Sequence, residues 1–165
     1  MSEKEQAFQE IFKANSKKIF HLCLGYTGDS DAANDLLQET FLKVWQNLEK
    51  FRNQAMISTW IYRIAVNTCL TYLKKEKRAA KDELTPNIIE NQQEEVSEKN
   101  EQVDTLYKCI AKLDENERII ITMVMDEIPY PEIAEVSGIS EGNLRVKIHR
   151  IKHKLTELYN QHERL

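Results

Sequence analysis

The sequence predicts an all-α chain made of two small helical domains joined by a flexible linker, on three observations. Apolar residues recur at three- and four-residue spacing over most of the 165 residues. Only four glycines and three prolines are available to break helices. From residue 79 to 103 the chain turns polar and acidic (AAKDELTPNIIENQQEEVSEKNEQV) and carries too few large apolar side chains to offset the entropy of ordering. The expected organisation is therefore a first domain over 1–78, a linker over 79–103 and a second domain over 104–165. The linker leaves the relative placement of the two domains open.

Three helices are expected before residue 80. The first carries Phe8, Ile11, Phe12, Ile19, Leu22 and Cys23 on one stripe, with Gly25 and Gly28 ending it. The second begins near Asp29 or Ser30, either of which can cap it, and its core stripe is Leu37, Phe41, Val44 and Leu48. The segment KFRNQAMIST has no clear period and is expected to be a loop. It leads into a third helix with Ile57, Ile61, Ala65, Thr68 and Tyr72 buried and a basic end at Lys74, Lys75, Lys77 and Arg78. After the linker, Leu106, Ile110 and Leu113 open the second unit. The run Ile119, Ile120, Ile121, Met123, Val124 and Met125 supplies its core.

Composition narrows the function classes. The start MSEKEQAFQE has no apolar signal core, and no later stretch approaches the roughly 20 apolar residues that span a bilayer, so a cytoplasmic protein without membrane insertion is expected. Cys23, Cys69 and Cys109 are odd in number, distant in sequence and in no Cys-x-x-Cys spacing. They suit neither a disulfide framework nor a zinc site and are read as small core residues. No nucleophile with a base, paired catalytic acids, phosphate loop or metal cluster is present, so no enzyme activity and no cofactor is expected.

The net charge of −4 is unevenly distributed. Residues 1–77 hold eleven basic and nine acidic side chains, 78–103 hold three and seven, and 104–165 hold nine and eleven. Within the last segment Arg145, Lys147, Arg150, Lys152 and Lys154 fall together with no acid between them, a footprint suited to phosphate.

That cluster sits in the clearest local signal, Tyr130-Pro-Glu-Ile-Ala-Glu-Val-Ser-Gly-Ile-Ser140 followed by Glu-Gly-Asn-Leu-Arg-Val-Lys-Ile-His-Arg150. A short helix from near Pro131, a left-handed turn at Gly138, Ser140 as cap and a second helix make a helix-turn-helix. On the second helix Leu144, Ile148, Ile151, Leu155 and Leu158 share one face. Gly142, Arg145, Val146, His149, Arg150 and His153 point away. Arginine can bind guanine O6 and N7 together, and Lys147, Lys152 and Lys154 suit phosphate contacts. The plain alternative is a solvated basic helix in a helical hairpin. His149 and His153 are four apart, but no third ligand is near and cations surround them, so no metal is expected.

Two further faces stand out. Opposite the expected core stripe of the second helix lie Asp35, Gln38, Glu39 and Leu42 with Trp45 at the border, a face suited to a protein partner or simply to solvent. The third helix places Trp60, Arg63, Asn67 and Lys74 together, near Phe51, Arg52 and Asn53 of the loop. Aromatic rings beside cations and amides suit unstacked bases of single-stranded DNA. The alternative is a tryptophan that closes the core beside an arginine paired with an acid.

Taken together, these motifs resemble the bacterial sigma factors of the extracytoplasmic-function type, the minimal members of the sigma-70 family. Asp35-Leu-Leu-Gln-Glu-Thr-Phe-Leu-Lys-Val-Trp45 is similar to region 2.2, Ser58-Thr-Trp-Ile-Tyr-Arg-Ile-Ala-Val-Asn67 to regions 2.3 and 2.4, and Leu113 to Leu155 to region 4. The resemblance implies a region 2 helical bundle and a region 4 helix-turn-helix. It implies that Asp35, Gln38, Glu39 and Leu42 contact core RNA polymerase at the beta-prime clamp helices, with region 4 on the beta flap. It implies that Phe51, Arg52, Asn53, Trp60, Arg63, Asn67 and Lys74 hold the melted minus-10 element. Arg145, Val146, His149 and Arg150 match positions that face bases of the duplex minus-35 element and Lys147 one that contacts its backbone, with Asn143, His153 and Lys154 extending that surface. An anti-sigma factor is an expected partner of the class. Some residues depart from the common pattern. Ile57-Ser58-Thr59-Trp60 stands where relatives often have Phe-Arg-Thr-Trp, and Val146 stands where a polar reader is common and suits a thymine methyl. Pro129 and Pro131 flank Tyr130, which a first helical turn accepts. An operator-binding regulator would use the same helix-turn-helix, but the face with Trp60, Arg63 and Asn67 has no purpose in a duplex-only reader.

Overall fold

A computed structural model describes residues 1–53, 56–82 and 101–164. Among these the chain forms seven α-helices and no strand: α1 (Glu3–Thr27), α2 (Ser30–Asn47), α3 (Ile57–Asp82), α4 (Glu101–Ile110), α5 (Glu115–Met125), α6 (Tyr130–Ser137) and α7 (Glu141–Glu163), with a 3₁₀ turn at Leu48–Lys50. Most of the expected linker lies outside the described residues. Its two ends are helical, since 79–82 extend α3 and 101–103 begin α4. Ala79, Ala80 and Lys81 are good helix formers, so the ladder of α3 continues past the boundary that composition suggests.

Local chemistry explains where the helices start and stop. The Ser2 hydroxyl accepts from the Glu5 N–H at 3.2 Å, with Glu3 and Glu5 complementing the positive end of α1. The helix does not end at Gly25, as the sequence suggested. It runs to Thr27, and Gly28 caps it at φ 68°, its N–H donating to the Leu24 carbonyl at 2.7 Å. Gly25 is instead a packing residue, because a Cβ there would lie 2.4 Å from Thr122 Cγ2. Asp29, rather than Ser30, caps α2 by accepting from the Asp31 N–H at 3.2 Å.

Helices α1, α2 and α3 pack on one another, and α4 to α7 form a second group in which α7 touches α4, α5 and α6. The two groups share a continuous core, because α5 and α4 also pack on α1, and α6 packs on α3. The buried line of α2 is Ala33, Leu36, Thr40, Phe41 and Val44, so the expected stripe is offset by part of a turn, with Leu37 and Leu48 half-buried. Helix α2 meets both α1 and α3, and two neighbours bury a wider face than a single stripe. The same holds for α3, where Thr59, Tyr62, Val66 and Cys69 join Ile61, Ala65 and Thr68 in the interior, while Ile57 and Tyr72 are half-buried. In α5, Ile119, Ile120, Ile121 and Met123 are buried and Met125 is exposed.

All three cysteines are buried free thiols. Cys23 and Cys69, distant in sequence, meet with their sulfurs 3.9 Å apart, and this hydrogen bond together with burial pushes the Cys69 thiol up. Burial likewise raises the phenols of Tyr26 and Tyr62, and with the Asp126 carboxylate it pushes Tyr107 up to about 12. An unfolded phenol loses its proton near pH 10, before these folded ones do. Stability is therefore retained up to about pH 10 and falls as pH rises toward the raised values. Ultraviolet titration of the native protein should show Tyr26, Tyr62 and Tyr107 un-ionised at pH 11 until the fold opens. Ionisation of all six tyrosines together near pH 10 would contradict this packing.

Candidate nucleic-acid interface

The packing leaves the three candidate faces at the surface. On α2, Asp35, Gln38, Glu39 and Leu42 are exposed at i, i+3, i+4 and i+7, one continuous stripe of the helix. Leu42 is 56% exposed, unusual for a leucine opposite a buried face. Trp45 borders the stripe but is half-buried. Its ring meets Phe8 edge-on at 5.3 Å, with the Lys4 ammonium 4.2 Å above it. Glu39 pairs with Lys43 at 3.5 Å, and Lys43 also donates to Thr68 Oγ1 at 3.1 Å. This ties the stripe to α3.

The second face joins the loop after α2 to the outer side of α3. Phe51 and Trp60 contact each other with ring centroids 5.0 Å apart and planes inclined by 38°. Both are half-buried, so each ring is anchored on one side and open on the other. Arg63, Asn67 and Lys74 are exposed along the same side of α3, and Arg52 and Asn53 are exposed in the loop. Asn53 adopts φ 55°, a left-handed conformation that asparagine tolerates and that turns the loop sharply. Among the described residues no carboxylate pairs with Arg63, so its guanidinium faces solvent. Residues 54 and 55 of the loop lie outside the described residues.

The third face is the outer side of α7 in the helix-turn-helix. Gly138 takes φ 76° between α6 and α7, and the Ser140 hydroxyl accepts from the Asn143 N–H at 3.4 Å. Leu144, Ile148, Ile151 and Leu155 are buried, which turns Asn143, Arg145, Val146, His149, Arg150 and His153 outward. Val146 is 53% exposed and Lys147 half-buried. A shallow cleft between this face and α5 is lined by Glu117, Ile139, Asn143, Val146, Lys147 and Arg150. His149 and His153 belong to no group of potential metal ligands among the described residues, and His153 lies 3.6 Å from Glu157.

Two positioning residues were not apparent from sequence. Tyr130 lies under Arg145, whose guanidinium carbon is 5.4 Å from the ring centroid. Glu117 accepts from Lys154 Nζ at 3.0 Å and from the Asp114 N–H at 3.1 Å, so Lys154 is held rather than free, and its ammonium is raised by that hydrogen bond. The spacing Asp114-x-x-Glu117 is a legible capping signal, but its reach to α7 is not. A third unforeseen contact links the faces: the Ser58 hydroxyl, at the start of α3, donates to Glu132 Oε1 of α6 at 2.5 Å.

The fold and these faces define an all-helical chain that carries a helix-turn-helix and an aromatic, basic helix face. Comparison with known proteins agrees. The family described as Sigma-70 region 2 matches residues 11–79, and Sigma-70, region 4 matches residues 104–155. The chain is 30% identical over 159 residues to the ECF RNA polymerase sigma factor SigW of Bacillus subtilis (strain 168), covering 88% of this chain and 85% of that one. It is 26% identical over 155 residues to the ECF RNA polymerase sigma factor SigM of the same organism, covering 92% of this chain and 94% of that one. Among solved structures, the sigma factor RpoE, in complex with the anti-sigma factor NepR from Bartonella quintana, shares the fold with a TM-score of 0.72 at 19% identity, covering 94% of this chain and 98% of that one. CnrH, in complex with the cytosolic domain of CnrY, does so with a TM-score of 0.67 at 22% identity, covering 95% and 90%. The chain belongs to the sigma-70 family as an extracytoplasmic-function sigma factor, a protein of transcription initiation. No helix among the described residues is long and apolar enough to cross a membrane.

The turn that delivers α6 contains one strained residue. Glu127 is exposed and non-glycine at φ 59°, in a turn closed by the Ile128 N–H on the Met123 carbonyl at 3.0 Å. A left-handed L-residue costs about 1–2 kcal/mol. Glu127→Gly should therefore raise unfolding stability by about 1 kcal/mol, read as a higher urea midpoint; a lower midpoint would show that the turn carries no strain.

Proposed function

We propose that this sigma factor binds core RNA polymerase, brings it to specific promoters and stabilises strand opening by holding unstacked bases of the minus-10 element. Residues 1–78 act in polymerase and minus-10 binding, 79–103 connect, and 104–165 read the duplex minus-35 element. On α2, Asp35, Gln38, Glu39 and Leu42 meet the beta-prime clamp helices: the three polar groups orient the contact and Leu42 is desolvated by it. Region 4 rests on the beta flap. One observation supports this reading above the others. The Phe51–Trp60 pair sits beside exposed Arg63, Asn67 and Lys74, a surface with no use in a protein that reads duplex DNA alone.

Base stacking on an aromatic ring contributes about 1–3 kcal/mol per base and is open to any base, while Arg63, Asn67, Arg52 and Asn53 supply phosphate and base-edge partners. In the helix-turn-helix, Arg145 and Arg150 read base edges, Val146 packs on a thymine methyl, and Asn143, His149 and His153 complete the surface. Lys147 and Lys154 contact the backbone. No covalent chemistry is assigned to any residue, so all the free energy comes from binding. A net charge of −4 limits the number of phosphate contacts, which suits a chain that needs polymerase for tight promoter binding. RpoE, which shares this fold, is seen in complex with an anti-sigma factor, and that supports control of this chain by a protein of that class.

Run-off transcription with purified core polymerase on a pool of promoter fragments tests the reading. The wild type should direct specific initiation. Asp35→Ala/Gln38→Ala should lose it through polymerase binding. Arg145→Ala/Arg150→Ala should lose at least about tenfold, since each bidentate arginine contact contributes about 1–3 kcal/mol. A wild type that binds fragments but never confers initiation would instead be an operator-binding regulator.

A further inference from the structure

Successive residues of α7 step by about 100° around its axis, so its outward face has two edges. Arg145 and Lys152 lie along one edge. Asn143, Lys147 and Lys154 lie along the other, with Arg150 between that edge and the middle of the face. When such a helix enters a major groove, its edges turn toward the sugar-phosphate backbones. The edge with Lys147 and Lys154 adjoins α5, where the shallow cleft is lined by Glu117, Ile139, Asn143, Val146, Lys147 and Arg150. Glu117 is the one acid among these six residues.

An acid on an edge that meets phosphate calls for a reason. Glu117 Oε1 accepts the Asp114 N–H at 3.1 Å, which completes the capping box of α5. A glutamine supplies that acceptor equally well, so capping explains an oxygen at this position but not a charge. The charge is used on α7. The same Oε1 accepts from Lys154 Nζ at 3.0 Å, and this bond raises the Lys154 ammonium, which stays protonated and paired. The Glu117 side chain is 13% exposed and that of Lys154 48%, so the carboxylate is set into the wall of the cleft and the lysine lies at its rim.

Order and charge act in opposite directions on such a lysine. A side chain already held loses less entropy on meeting a phosphate. For Arg145, held over the neutral ring of Tyr130, that gain comes with no competing charge. For Lys154 the holding group is itself an anion. The pair is neutral, so it releases no counterion when a backbone approaches, and a phosphate must compete with Glu117 for the ammonium.

We propose that Glu117 is a positioning residue that holds Lys154 off the DNA backbone and so limits the affinity of the free chain for duplex DNA of any sequence. The inference rests on the reading of α7 as the duplex-binding helix and adds a restraint to it. Lys154 makes its backbone contact only by leaving Glu117. Base recognition stays with Arg145 and Arg150, which are outside this bond. Bulk DNA offers phosphates without the matching bases and is held weakly, so chains not yet on polymerase remain available to it.

Fluorescence anisotropy of the full-length chain on a labelled mixed-sequence duplex, followed across a salt series, tests the restraint. Glu117→Gln keeps the capping acceptor and removes the charge. At about 0.1 M salt it should bind at least about threefold tighter than wild type, and its log affinity should fall more steeply with log salt, by about 0.9, the slope of one added phosphate contact. Its thermal midpoint should match wild type. Lys154→Met keeps the apolar stem and removes the ammonium, and in that background the same Glu117→Gln change should leave the slope as it is. An unchanged slope in the single variant would overturn the proposal, because Glu117 then withholds nothing. Equal steepening without Lys154 would overturn it as well, since Glu117 would be acting by its own charge and not through the lysine. So would weaker binding with a lower thermal midpoint, which assigns Glu117 to the cap alone. Arg145→Ala/Arg150→Ala reports separately on the reading beneath: if that variant binds the duplex as tightly as wild type, α7 is not the duplex-binding helix and both fail.

Discussion

Burial of the C-terminal half of α1 is the constraint on which both helical groups depend. Ile19, Leu22, Cys23 and Tyr26 are all at most 1% exposed, and they are covered by α2 and α3 from one direction and by α4 and α5 from another. Each large apolar side chain so buried contributes about 1.5–3 kcal/mol. Helical units of this size rarely build a generous core of their own. By sharing one helix, the two groups gain a common interior that neither has alone, and the absence of a side chain at Gly25 is what allows α5 to come close enough to share it.

The same economy shapes the polar surface. Chain-wide charge is negative, yet the outer side of α7 carries five cations with no acid between them in sequence. Two of these side chains are held in place, Arg145 against Tyr130 and Lys154 by Glu117. Restricting a long side chain before binding reduces the entropy lost when it meets its target. The aromatic pair on the other side is organised likewise, since Phe51 and Trp60 support each other and each keeps one face open. The chain thus presents a small number of ordered groups in place of a strong general attraction for phosphate.

Much of this was legible in the residues. The helix-turn-helix came from Gly138, Ser140 and the apolar spacing of Leu144, Ile148, Ile151 and Leu155, and the structure places them as turn, cap and buried face. The exposed stripe of Asp35, Gln38, Glu39 and Leu42 followed from helical periodicity, as did the line of Trp60, Arg63, Asn67 and Lys74. The errors have one source. Gly25 read as a helix end because glycine usually is one, and only the approach of Thr122 explains why it lies inside α1. The core stripe of α2 was drawn for one neighbour where there are two. The bond from Lys154 to Glu117 was not foreseen because the two lie 37 residues apart in sequence.

By itself, then, the sequence determined much of what is governed by neighbours along the chain: the periodicity of the three helices before residue 80 and of the helix-turn-helix, the caps beside α2 and at Ser140, the turn at Gly138 and the clustering of cations on α7. These depend on rotation per residue and on hydrogen bonds within a few positions, which a single chain displays openly. Tertiary structure alone decided that Cys23 meets Cys69, that Tyr130 lies under Arg145, that Ser58 receives Glu132, and that the two helical groups close on a shared helix. Each joins residues from helices whose mutual placement is set by how their side chains interlock, and no periodicity records which surface a helix will find.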